Sequence, residues 1–335
     1  MCRMHFIAMV LCCSFFAAPA HADEDPESLA LCEQVQPLTA ADDYPALDAM
    51  AKRFRTGERT SSGESKLGRF YLCMSRQIGT ERQDGLYWEQ WTAWAGRWIQ
   101  RAPRSPSAHL MMARVPLNRG WSIRGDDVAG KVGDEDWAPY RTYTAEAGAY
   151  LAAHKAAARH DPFWYEMAAV IALRQDADPA TMMAIVDEGL QAHPGYDPLY
   201  FIGMHAATPL WGGSVEAMEA FARHAMTRAP KAYRPALYAR LYWAVTGGYY
   251  GAPVYHASQV DWPLMRRGLD DILARYPTAW NLQGAVRYAC LAGDRPPLEK
   301  WFAMQMAAMA PGLDVRMTDA MFARNCASRP EAGAG

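Results

Sequence analysis

The sequence predicts an all-α fold of stacked antiparallel helix pairs, a degenerate tetratricopeptide-like α-solenoid. Three observations carry that prediction. The 335 residues are rich in Ala, Met, Leu, Arg and Glu, and they hold no long alternating run of Val, Ile and Thr. Apolar residues recur at three- and four-residue spacing in window after window. Proline-terminated stretches repeat at a period near 34 residues.

Taken in chain order, residues 1–22 read as a secretory signal peptide. Arg3 supplies the positive start, Phe6 to Ala18 is apolar and uncharged, and Ala20-His21-Ala22 is a small-x-small cleavage site ahead of Asp23-Glu24. The apolar run is shorter than the roughly 20 residues a spanning helix needs. The expected mature chain starts at Asp23, is periplasmic or secreted, and carries no membrane span. Residues 23–84 are expected to be a helical region with a polar loop, 85–328 the repeat domain with an insert at 104–140, and 329–335 a disordered tail.

The stripes place the helices. Trp88, Trp91, Trp94 and Trp98 form one, and at this spacing they read as core rather than as a ligand platform. Val215, Met218, Phe221, Ala222 and Ala225 form another. Trp262, Met265, Leu269, Ile272 and Tyr276 form a third, and Leu298, Trp301, Phe302 and Met309 a fourth, interrupted by Gln305. Stops follow at Pro103, Pro162, Pro194, Pro230, Pro277 and Pro311, the last five separated by 32, 36, 47 and 34 residues. Proline cannot continue a helix and fixes the entry into the next. The predicted helices are 88–101, 143–160, 163–174, 179–192, 214–228, 261–275, 279–292, 297–309 and 314–327. The material from Arg104 to Tyr140 and from Tyr249 to Val260 exceeds the period and reads as inserted loop.

Charge excludes one class of partner. Lys and Arg number 34 against 36 Asp and Glu, a formal charge of -2, so no nucleic acid or other polyanion is expected. Cys2, Cys12 and Cys13 lie in the leader. Cys32, Cys73, Cys290 and Cys326 remain, an even count that suggests two disulfides in an exported chain. Of three connectivities, local pairing is the natural one: Cys32 with Cys73 and Cys290 with Cys326. No pair has the close spacing of a zinc site, so no metal is expected.

Three stretches carry a family resemblance: Asn118-Arg119-Gly120-Trp121-Ser122-Ile123-Arg124-Gly125; Leu210-Trp211-Gly212-Gly213-Ser214 with Glu216 and Phe221-Ala222; and Asn281 with Ala289-Cys290-Leu291-Ala292-Gly293-Asp294, then Phe322 and Cys326. Together they resemble the bacterial "domain of unknown function 4034" family of tetratricopeptide-like proteins, over roughly residues 85–327. The resemblance implies a helical-repeat fold and brings no reaction with it.

No motif brings a reaction either. Gly125 to Lys131 has phosphate-loop spacing, but Val132 stands where Ser or Thr must hold Mg²⁺, and Asp126 and Asp127 repel phosphate; no cofactor is expected. No Gly-x-Ser-x-Gly elbow exists. Gly63-Glu64-Ser65 resembles the Glu-Ser of lytic transglycosylases, yet Glu64 lies among Thr60, Ser61, Ser62 and Lys66 rather than in an apolar pocket. His160 and His193 stand at helix ends, where imidazole can bond the last carbonyls.

Asn118, Arg119, Trp121 and Arg124 are the candidate binding residues, because an aromatic flanked by arginines in a non-repetitive insert has hot-spot composition. The alternative is that Trp121 plugs the gap between insert and repeats, with the arginines paired to Asp126 or Asp127. Trp211, Gly212, Gly213 and Ser214 read as a structural turn: Ser214 caps the next helix, and Trp211 folds back and is mostly buried. The expected role is a binding or scaffolding module in the cell envelope, using the concave face such stacks offer, with a peptide, another envelope protein or a surface glycan as partner. The rival is an enzyme such as a wall-active hydrolase, which requires a buried titratable group in a cleft.

Overall fold

The computed structural model describes residues 25–127, 129–247, 255–309 and Cys326. The chain is all-α, and among the described residues the backbone pairs in β fashion only at an isolated Arg59–Ser65 bridge. The expected signal segment at 1–22, the expected 314–327 helix and the tail expected at 329–335 lie outside the described residues, Cys326 excepted.

The N-terminal region holds α1 (Pro26–Ala40), α2 (Tyr44–Phe54) and α3 (Lys66–Ile78). Asp43 and Ser65 cap the second and third by accepting from Ala46 and Gly68 N–H. A disulfide between Cys32 and Cys73, Cα atoms 5.0 Å apart, ties α1 to α3. α4 (Gly85–Arg101) lays its tryptophan stripe against this unit. Trp88, Trp94 and Trp98 are buried, and Tyr44 stacks on Trp98 at 5.4 Å.

Next come α5 (Pro106–Arg124), α6 (Asp134–Ala153) and the short α7 (Lys155–Ala158). The expected insert loop at 104–140 is therefore mostly helix. Ser105 caps α5 and Pro106 opens it, while Pro116 inside the helix and the polar run Asn118-Arg119-Gly120 hid the period. The helix predicted from 143 begins at Asp134, with three acids in its first turn where the helix dipole favours them. α5 and α6 cross closely: a Cβ on Gly120 would stand 3.1 Å from the Tyr140 carbonyl.

Four helix pairs follow: α8 (Phe163–Arg174) with α9 (Pro179–Ala192), α10 (Asp197–Ala206) with α11 (Val215–Arg228), α12 (Arg234–Gly247) with α13 (Trp262–Arg275), and α14 (Ala279–Leu291) with α15 (Arg295–Met309). α8 and α9 match their predicted bounds. α10 and α12 had no predicted counterpart. One buried core runs from Leu31 to Trp301 through all pairs, as stacking requires, since no single pair can bury its own apolar face. The second disulfide joins Cys290 to Cys326, Cα atoms again 5.0 Å apart.

The segment between α2 and α3 determines what the stack can present. It is not the soft polar loop read from its Ser, Thr and Gly residues. It lies along the first helices of the four pairs, touching each helix or its entry. Arg55 bonds Asp161 at 3.0 Å, just before α8. Arg59 grips Asp197 at the start of α10. The Ser62 carbonyl accepts from Arg240 of α12 at 2.6 Å and from Asn281 of α14 at 3.0 Å. Gly63 has φ +89°, and a Cβ there would stand 2.6 Å from the Tyr276 ring before α14. Thr60 and Ser62 are buried. The face built by these first helices is thus covered in part by the chain's own residues 55–65. It is not the open concave face expected from the repeat pattern.

Candidate functional site

The four candidate residues Asn118, Arg119, Trp121 and Arg124 lie on the last turns of α5, not in a loop. Asn118 turns inward. It is 2% exposed, and its side-chain amide donates to the carbonyls of Ser75 at 3.1 Å and Gly79 at 2.9 Å, fastening α5 to the end of α3. Its donors are spent on the fold, so it leaves the candidate set. Arg119, Trp121 and Arg124 are half-buried.

These three join partners that no motif indicated. Arg174, at the end of α8, places its guanidinium 4.3 Å from the centre of the Trp121 ring, and Arg124 lies 4.9 Å from the same ring. Arg124 also approaches Trp137 at 5.6 Å, and Arg141 approaches Trp137 at 5.4 Å. Arg119 covers Tyr143 at 4.4 Å. Tyr140 meets the edges of both Trp121 and Trp137. The outcome is an alternating bank of guanidinium and aromatic rings on α5, α6 and the end of α8, a geometry that favours the cation at each step. The spacing Trp137, Tyr140, Arg141 on one face of α6 was the available sequence signal; a period assigned to loop concealed it.

The expected pairing of Arg119 and Arg124 with Asp126 or Asp127 does not form. The Trp121 indole N–H donates to Asp126 at 2.6 Å, and Arg124 donates to the main-chain carbonyls of Gly125 and Asp127. Among the described residues, Arg119, Arg124, Arg141 and Arg174 make no ion pair with a carboxylate. They are a bank of cations without counter-ions on a chain whose net charge is near zero.

Behind this bank lies a second charged group. Arg114, one helical turn before Asn118, donates from Nε to Ser75 Oγ at 2.8 Å. Glu166, on α8, accepts from the Tyr196 hydroxyl at 2.6 Å. Burial pushes the Glu166 carboxyl up to about 7, against the Tyr196 hydrogen bond and the Arg114 charge. Burial, with the Arg114 charge added, brings Arg174 down to about 10. Burial also lowers Arg114, whose charge the Glu166 carboxylate favours.

The second named motif is a turn. Trp211 closes a 3-10 turn, Gly212 is left-handed at φ +80°, and a Cβ on Gly213 would stand 2.1 Å from the Ala207 carbonyl. Ser214 caps α11, its Oγ accepting from Ala217 N–H at 3.1 Å. Trp211 is of intermediate burial, and its indole nitrogen is buried. Its ring leans on His205 at 5.5 Å, and its indole N–H has no acceptor among the described residues.

Glu64 accepts from Ser28 at 2.7 Å and pairs with Arg69. Those contacts anchor the covering segment and give Glu64 no apolar pocket of the kind a general acid requires. His193 terminates α9 as expected, its ring 3.4 Å from the Arg159 carbonyl. A cleft of about 220 Å³ opens beside the covering segment between Arg55, Arg59, His193 and Tyr196. Among the described residues no helix is long and apolar enough to cross a membrane. No family model, no curated protein and no solved structure matches this chain.

Proposed function

We propose that this protein is an exported binding or scaffolding module of the cell envelope, and that it engages its partner through the bank of arginines and aromatic rings around Trp121. The observation that carries this reading is the set Arg119, Arg124, Arg141 and Arg174, each stacked on an aromatic ring and none paired with a carboxylate among the described residues. Stacked guanidiniums are preorganised donors whose ring faces are already satisfied and whose N–H edges await acceptors. Such a surface fits an acidic protein segment. Two disulfides agree with passage through an oxidising compartment, and the leader-like residues 1–22 agree with export. Membership of the domain of unknown function 4034 family belongs to the same proposal and rests on the three stretches quoted above.

The test is retention of an envelope partner on immobilised protein. Wild type is expected to hold it at low salt and release it as salt rises, as ion-steered contacts do. Trp121→Ala with Arg124→Ala is expected to lose it. Retention by the double variant would overturn the assignment.

One observation favours the rival reading. Glu166 is a half-buried carboxyl raised to about 7, as a general acid requires. Asp161, whose charge Glu166 feels, is fully buried and bound by Tyr71, Arg55 and the Phe163 N–H, so it is closed to a substrate. Clearing of cell-wall suspensions by wild type but not by Glu166→Gln would establish the hydrolase.

A further inference from the structure

Arg114 and Arg174 share a peculiarity. Each is half-buried, and each uses little of its hydrogen-bonding capacity on the protein. A guanidinium has five N–H donors. Arg114 spends one, on Ser75 Oγ at 2.8 Å. Arg174 spends one, in a long 3.4 Å contact to the Leu117 carbonyl, one turn along α5 from Arg114. The remaining donors meet no acceptor among the described residues. They are not sealed in the core either, for the buried nitrogens lacking partners are the indoles of Trp211 and Trp301. Both guanidiniums therefore keep some contact with solvent.

The electrostatics of this recess are unbalanced. Arg114 and Arg124 both disfavour the charge on Arg174, Arg124 from the rim. Tyr140 feels both Arg174 and Arg124, with Asp176 beyond it. The Glu166 carboxyl reaches Arg114 but is already engaged by the Tyr196 hydroxyl. Half-buried cations that repel one another are unfavourable unless a counter-charge reaches them. The Trp121 ring, itself braced by Tyr140, carries the Arg174 plane at 4.3 Å, which suits two-point capture of a planar or tetrahedral oxyanion.

We infer that Arg114 and Arg174, with Arg124 at the rim, form an oxyanion seat that takes a carboxylate or phosphate group of the ligand. This deepens the reading above, because it names the ligand group that passes the outer bank and reaches the innermost arginines.

The experiment is thermal unfolding and calorimetric titration of the full mature chain with inorganic phosphate and, separately, succinate, each against sodium chloride at matched ionic strength. The variants are Arg114→Gln, Arg174→Gln and Arg174→Lys. At least one oxyanion is expected to raise the wild-type melting temperature by several degrees at millimolar concentration, where chloride does not. Which of the two acts identifies the source: phosphate alone points to a phosphorylated ligand, succinate to carboxylates. Each Gln variant is expected to bind at least tenfold more weakly, yet to melt no lower than wild type without anion, because removing one cation relieves repulsion. Arg174→Lys keeps the charge and loses the fork, and is expected to weaken binding as well. Equal shifts with chloride, or undiminished binding in both Gln variants, would overturn the seat. Loss of small-anion binding in the wild type, with partner retention still dependent on Trp121 and Arg124, would sink the seat and leave the outer surface standing.

Discussion

Arg59 and Asp197, 138 residues apart in sequence, meet through a two-pronged ion pair, Nη1 to Oδ2 at 2.5 Å and Nη2 to Oδ1 at 2.9 Å. Tyr233 donates to the same carboxylate at 2.7 Å, and its ring carries the guanidinium at 4.9 Å. Burial alone would lower the Arg59 pKa, but the Asp197 charge and hydrogen bond, together with the Tyr233 and Tyr276 hydroxyls, outweigh it and hold the group firmly protonated. Asp197 is 3% exposed, so an Arg59→Ala change leaves a buried, half-satisfied charge. The expected loss is about 3–5 kcal/mol in urea unfolding. A loss below about 1 kcal/mol would mean that the segment is only loosely held.

Cys32 and Cys73 close a loop of 41 residues that contains α2 and the covering segment. Replacing both by Ala is expected to cost about 4 kcal/mol on chain-entropy grounds. Denaturant unfolding of the double variant beside the oxidised wild type measures it. The same preparation resolved by protease digestion should show new cleavage within residues 55–65.

Ser214→Ala removes the hydroxyl that accepts from Ala217 N–H at the start of α11. The expected cost is about 1 kcal/mol, with Ser214→Asn close to neutral. Thermal unfolding of the three proteins distinguishes a cap from a bystander, for which all three would melt together.

Glu166 gives stability a pH dependence. Its folded pKa of about 7 lies above its unfolded value. The native state therefore keeps a proton that the unfolded chain has already released. The contribution is complete below about pH 4.5 and is lost as pH rises through 7. Asp161, raised by burial, moves in the same sense. Because water reaches Glu166 in part, the expected decline is about 1–3 kcal/mol. Glu166→Gln should flatten that portion of the profile. Urea unfolding at pH 5 and pH 7.5 in both proteins checks it, and equal slopes would refute the assignment.

Much of the repeat domain was legible because its signals are local. The predicted bounds 163–174 and 179–192 are those of α8 and α9, and the tryptophan stripe announces α4, whose Trp88, Trp94 and Trp98 are core as read. α5 was lost because its interior carries Pro116 and a polar run, which mimic a loop locally while tertiary packing holds the helix. The site was half legible. Trp121 and Arg124 stood out by composition. Arg174 did not, because its part depends on where the end of α8 arrives beside α5. Asn118 was misread for the reverse reason: an amide in a polar run looks exposed until the Ser75 and Gly79 carbonyls are found beside it. Ser62 gave no warning at all, being buried by partners 178 and 219 residues away.

That last separation changes how the molecule comes apart. A linear array of helix pairs interacts only between neighbours, so its ends can melt independently and its unfolding broadens with length. Here a hydrogen bond from Asn281 returns to Ser62, and one short stretch of chain laces the fourth pair to the first. The C-terminal pair cannot fray without also unpicking contacts made by the N-terminal region. The lacing replaces serial melting with a concerted transition, at the cost of slow, topologically demanding folding in which the array must wait for its own early residues to be threaded home.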